Sequence, residues 1–212
     1  MTTSNFLDDD DQMEPREESL LIPADGTLLE ADLVLPADSS ALVVFAHGSG
    51  SSRNSPRNRF VAGVLNERGL GTLLFDLLTS SETCLDAIDL RLRFDIELLA
   101  GRLCAVMNWL RGYRPTARLC YGCFGASTGA AAALTAAARM PKVIEAVVSR
   151  GGRPDLAQSA LPQVSAPTLL IVGGEDSTVL ELNREAFSLL SGEKRLEIVE
   201  GATHLFEEPG TL

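Results

Sequence analysis

The segment Gly125-Ala126-Ser127-Thr128-Gly129 combines residue type and spacing in a way that points to chemistry. It is a G-x-S-x-G pattern that follows the apolar run Leu119 to Phe124 and precedes an alanine-rich stretch. Between a strand and a helix, such a sharp turn lifts a serine hydroxyl clear of the sheet edge. Side chains at positions 125 and 129 would collide where strand and helix approach closely, which is the steric reason for glycine there. Two other readings compete. One is a small-residue turn that merely lets a helix pack on a sheet. The other, a dinucleotide loop, fails on spacing: Gly122, Gly125 and Gly129 do not make G-x-G-x-x-G, and that fingerprint belongs in a first βα unit.

A hydroxyl nucleophile needs a base, and the base needs an orienting group. The chain has two histidines. His47 directly follows the apolar run Ala41 to Ala46, and His204 follows the last such run, in Gly201-Ala202-Thr203-His204. Either suits a sheet edge. The acid candidate is Asp176, in Gly173-Gly174-Glu175-Asp176, with Glu175 as runner-up. Ser127, Asp176 and His204 stand in the order nucleophile, acid, histidine, each just after a predicted strand.

The elements that must position these residues follow from hydrophobic patterning. Glu18 to Ala24 and Leu28 to Leu35 read as two strands around Asp25-Gly26, a strong hairpin signal. Unalternating apolar runs then recur at Ala41–Ala46, Thr72–Leu78, Leu119–Phe124, Ile144–Val148, Thr168–Val172 and Leu196–Val199, as expected of strands buried on both faces. Helices are predicted over about 89–111, 57–68, 128–138 and 178–190. The spacing therefore predicts an α/β fold: a mostly parallel twisted sheet with an N-terminal antiparallel hairpin and helices on both faces. In such sheets ligands bind beyond the carboxyl ends of the strands. Only about 20 residues join the runs ending at Val148 and starting at Thr168, which leaves no room for a cap domain.

Composition narrows the function classes. The 212 residues carry 18 basic and 29 acidic side chains, a net charge of −11. Seven acids and one base within residues 1–18 account for −6 of it, and residues 1–16 read as a disordered acidic tail ahead of a single domain over 17–212. No basic stripe offers a surface to nucleic acid. No apolar stretch reaches the roughly 18 residues of a membrane span, and no signal peptide opens the chain, so a cytoplasmic location is expected. Cys120 and Cys123 form a C-x-x-C inside a strand-like run, read as buried and inert rather than as a metal or redox site.

Taken together, His47-Gly48-Ser49-Gly50, the Gly125–Gly129 elbow, Gly173–Asp176 and His204 resemble the α/β-hydrolase superfamily, and within it the small dienelactone-hydrolase-like branch. The resemblance covers residues 18–208. It implies Ser127 as nucleophile, His204 as general base, Asp176 as its orienter, and a structural role for His47. Dienelactone hydrolases proper carry cysteine where this chain has serine, so their lactone substrate is not implied. What is implied is a serine esterase acting on a small ester or lactone by acyl transfer, without cofactor or metal. The backbone N–H of Thr128 and that of Ser49, with Gly50 next, are the expected oxyanion donors. Arg150, with Gly50, is the expected contact to the substrate, its guanidinium suited to an anionic group; the alternative is that Arg150 and Arg153 are surface residues paired with acids. Arg53, Arg57 and Arg59 read as a solvated basic loop. A catalytically idle binding module and an acyltransferase are the competing functions. Because relatives of this kind usually end in a helix after the histidine loop, a truncated chain or self-association through that region is also expected.

Overall fold

The structure, a computed structural model, describes residues 14–212. Most of the acidic tail thus lies outside the described residues. The hairpin forms as its turn predicts. Strands β1 (Arg16–Ala24) and β2 (Thr27–Leu35) pair antiparallel, and Asp25 and Gly26 both take positive φ, 47° and 78°, as a two-residue hairpin turn requires. Six further strands follow: β3 (Ala41–Ala46), β4 (Gly71–Phe75), β5 (Cys120–Ala126), β6 (Ile144–Arg150), β7 (Thr168–Gly173) and β8 (Lys194–Val199). All eight form one sheet in the order β1-β2-β4-β3-β5-β6-β7-β8. Strands β3 to β8 run parallel, and β2 joins them antiparallel through β4. The chain steps outward from β3 to β4 and then back across to β5. The loops after β3 and β5 therefore diverge and open a crevice between them.

Five helices flank the sheet: α1 (Pro56–Glu67), α2 (Ser80–Asp89), α3 (Ile96–Gly112), α4 (Thr128–Arg139) and α5 (Ser177–Leu189). The alanines of α4 let it sit close on the sheet, and Ala130 to Leu134 are wholly buried. Ala131 to Leu134 share one core with Leu99, Leu103, Val106 and Leu110 of α3 and Val44 of β3. On the opposite face α1 packs Ala62 against Phe45, Leu74 and Phe124 in a smaller cluster. The connection from β6 to β7 holds only two 3-10 turns, Pro154–Ala157 and Leu161–Gln163, and no cap domain.

Three expectations need correction. The helix predicted over 89–111 begins only at Ile96, where the Asp95 side chain accepts from Leu98 N–H: residue 89 is the end of α2, which closes at Leu90 in the left-handed region, φ 59°, and a 3-10 turn over Leu92–Phe94 intervenes. The strand predicted over 72–78 stops at Phe75, because Leu77 N–H bonds the His47 ring instead of a neighbouring strand. Of the two cysteines expected to be buried, Cys123 is, and burial pushes its thiol up, whereas Cys120 on the opposite face of β5 is exposed. No helix follows β8 among the described residues, and Ile198 on that strand is 43% exposed. Among the described residues no helix is long and apolar enough to cross a membrane, and no group of three side chains is arranged to hold a metal ion.

Candidate active site

Ser127 sits between β5 and α4 at φ 50° and ψ −120°, a backbone region that residues with a Cβ rarely adopt. Holding it there stores strain of order 1–3 kcal/mol, so the surroundings must fix it. They do so from two sides. Ser127 N–H donates to Arg150 O (3.3 Å), while the Ser127 carbonyl accepts from Arg153 N–H (3.0 Å) and Ala130 N–H (3.1 Å). The flanking glycines are needed sterically, as expected. A Cβ at Gly129 would lie 2.1 Å from Ala46 O, and one at Gly125 would lie 2.4 Å from Ala130 Cα.

His204 follows β8, and its Nδ1 lies 2.6 Å from Asp176 Oδ2. With Nδ1–H donating to the carboxylate, Nε2 is left as an acceptor. Asp176 is also the N-cap of α5, its Oδ1 accepting from Val179 N–H at 3.4 Å, so the positive end of the helix favours its negative charge. Glu175, the runner-up acid, is exposed. Packing brings the loops after β7 and β8 together: a Cβ at Gly173 would meet Ala202 O at 2.4 Å.

His47 has a different environment. It is 8% exposed; its Nε2 accepts from Leu77 N–H and its Nδ1 donates to Gly48 O, both at 3.0 Å. Burial lowers its pKa, so the ring stays neutral and serves as a strut under the Gly48-Ser49-Gly50 loop. The backbone N–H groups of Thr128 and Ser49 have no acceptor among the described residues, which leaves both available to a ligand.

Two cavities meet at that loop. A cleft of about 220 Å³ is lined by Ser127, His204, Arg150, Arg57, Asn58 and Ser49, among others. A larger chamber of about 590 Å³ is lined by Leu77, Leu78, Cys84, Leu99, Gly50 and Thr128, among others. Gly48, Ser49 and Ser51 line both. Of the residues predicted for the site, the fold thus gathers Ser127, His204, Ser49 and Arg150 around the cleft, with Asp176 behind His204. Thr128 and Gly50 face the chamber.

The arginines divide between the two sequence expectations. Arg153 pairs with Asp155, as a surface arginine would. Arg150 departs only from the surface-pair alternative: it is 9% exposed, stacks near the rings of Phe124 and Phe206, and donates to Asn58 Oδ1 at 3.3 Å. Burial, and then the neighbouring Arg57, pull its pKa down to about 10. The loop expected to be solvated is ion-paired: Arg53 with Asp76 and Glu30, Arg59 with Asp32, and Arg57 with Glu207. Sequence reasoning also missed Asn183, wholly buried, which donates to Gly152 O (3.0 Å) and braces the loop that carries Arg150 and Arg153. An asparagine inside a predicted amphipathic helix was its only signal.

No protein-family model matches the chain. In structure it is similar to a dienelactone hydrolase from Anabaena variabilis, with 54% identity, a TM-score of 0.91, and coverage of 93% of this chain and 91% of that one. A lidless serine hydrolase from Xanthomonas campestris shares the fold at 20% identity and TM-score 0.68, covering 89% and 85% of the two chains. Curated relatives from two strains of Mycobacterium tuberculosis, each named "Putative phosphoribosyl transferase", are 55% identical over 197 residues. That match takes in 93% of this chain but spans only 44% of the relatives' length.

Proposed function

Because this chain belongs to the dienelactone hydrolase family of α/β serine hydrolases, we propose that it cleaves a small carboxylic ester or lactone through an acyl-enzyme on Ser127. Ser127 Oγ attacks the carbonyl carbon while His204 Nε2 takes the hydroxyl proton. The resulting oxyanion is held by the N–H groups of Thr128 and Ser49, and its collapse expels the alcohol, which receives the proton back from His204. Water then attacks the acyl group with His204 again as base, releasing the acid and restoring Ser127. Asp176 keeps the imidazole in the tautomer that leaves Nε2 free and stabilises the imidazolium formed at each step.

The observation that carries this reading is the 2.6 Å Asp176–His204 bond beside the cleft in which the strained Ser127 stands. A fold kept only for binding has no need of that bond or that strain. The transferase name of the mycobacterial relatives belongs to proteins of which this chain spans 44%, and the hydrolytic reading uses only residues present here. Labelling with a fluorophosphonate probe, followed by a panel of short esters, lactones and thioesters, tests it. Wild-type protein should label and Ser127→Ala should not. Absence of labelling in wild type, or equal labelling in both, overturns the proposal.

A further inference from the structure

We propose that Arg57 and Arg150 form a subsite for a phosphate group carried by the substrate, so that the ester cleaved at Ser127 belongs to a phosphorylated small molecule. This inference rests on reading the cleft as the substrate's site.

Arg150 Nη1 is buried and has no acceptor among the described residues. Its polar contact is a long bond from Nη2 to a neutral amide oxygen, with aromatic rings on either side. A guanidinium held out of water without a carboxylate is a strongly unfavourable arrangement. Arg57 is partly matched. Its Nη1 donates to Glu207 Oε1 at 2.6 Å toward solvent, while its Nε is buried without an acceptor. Both arginines line the cleft that holds Ser127 and His204, as do the hydroxyl-bearing Ser49, Ser51 and Ser55. Ser55 is the N-cap of α1 and Arg57 lies in its first turn, so the positive end of a 12-residue helix faces the same space.

These donors fit phosphate better than carboxylate. A carboxylate has one charge and two coplanar oxygens, which a single guanidinium fork satisfies. Here two guanidinium groups come from separate elements, β6 and α1, and hydroxyls add donors on another side. A phosphate monoester offers close to two negative charges and three acceptor oxygens. Glu207, on the same loop as His204, then acts as a placeholder on Arg57 that the ligand displaces.

The test uses the whole chain with two probes. Inorganic phosphate is titrated calorimetrically into Ser127→Ala protein, with acetate as the comparison. Hydrolysis of 1-acetylglycerol 3-phosphate is compared with that of 1-acetylglycerol. Phosphate should bind more tightly than acetate, and Arg57→Gln and Arg150→Gln should each weaken it by about 10- to 100-fold. The same changes should erase the kcat/KM preference for the phosphorylated ester, whereas Glu207→Gln should tighten phosphate several-fold. If Arg150→Gln melts early, the half-exposed Arg57→Gln decides. Acetate binding as tightly as phosphate, phosphate binding indifferent to Arg57→Gln, or equal turnover of the two esters would each overturn the subsite. Phosphate bound as expected with no ester hydrolysed leaves the subsite standing and removes the hydrolase.

Discussion

The two cavities that meet at the Gly48–Ser51 loop differ in a way that volume does not convey. The chamber is more than twice as large, about 590 against 220 Å³, yet the charges in its wall are internally matched: Arg93 donates to Asp86 through both its backbone N–H and its Nε. Beneath it Arg102 binds both Glu82 oxygens and the Leu77 carbonyl, so its charge is matched although its Nε has no acceptor. In the cleft, Arg150 meets a neutral amide oxygen and no carboxylate among the described residues, and Arg57 pairs with Glu207 while its Nε stays buried without an acceptor. Matched charge holds a wall together, and unmatched charge waits for a ligand. Functional polarity is thus sought where a buried charge lacks a counter-charge.

The sharpest way to break this comparison is at the proposed nucleophile. If the cleft is the reaction site, Ser127→Ala should lower kcat by at least about 10⁴-fold with the melting temperature preserved or raised, measured on any ester the wild type turns over. The two histidines should separate next. His204→Ala should lose about as much activity as Ser127→Ala. His47→Ala should instead leave Leu77 N–H buried and unpaired, costing about 1–3 kcal/mol in chemical denaturation, with less than the roughly 100-fold rate loss of a missing oxyanion donor. Comparable rate losses in both variants would merge the roles assigned to cleft and chamber.

The chamber side is tested by acid. Hydrogen bonds from Arg102 hold the Glu82 carboxyl down to about 2, against about 4.5 when unfolded. A carboxylate depressed in the folded state contributes stability that is fully present above its unfolded pKa and is lost as pH falls toward the folded value. The pair should therefore supply at most about 3 kcal/mol that disappears between pH 4.5 and about 2. Denaturant melts of wild type and Arg102→Leu should converge over that interval. A constant gap would show that the pair does not act through Glu82 ionisation.

The legible parts of this molecule were those written in contiguous residues. The elbow, the hairpin turn, the parallel strands and the order of Ser127, Asp176 and His204 each sit in a short window whose sterics are local. Helix α2 escaped because Leu85 and Ile88 point to solvent, Ile88 at 84% exposure, so no apolar stripe marks it. Its real signal was the capping box, Thr79 with Glu82 three residues on, which the structure forms in both directions. The Arg57–Glu207 pair joins residues 150 positions apart and could not be read from spacing. Nor could the isolation of Arg150, since a lack of partners is a property of the folded neighbourhood alone.

The strained backbone of Ser127 has a consequence for heat tolerance. Glycine occupies positive φ freely, so Ser127→Gly relaxes the elbow and should make the folded chain more resistant to melting while removing the proposed nucleophile. Under heat alone glycine would serve this turn better than serine, so a hydroxyl-bearing side chain is held here at some cost in stability.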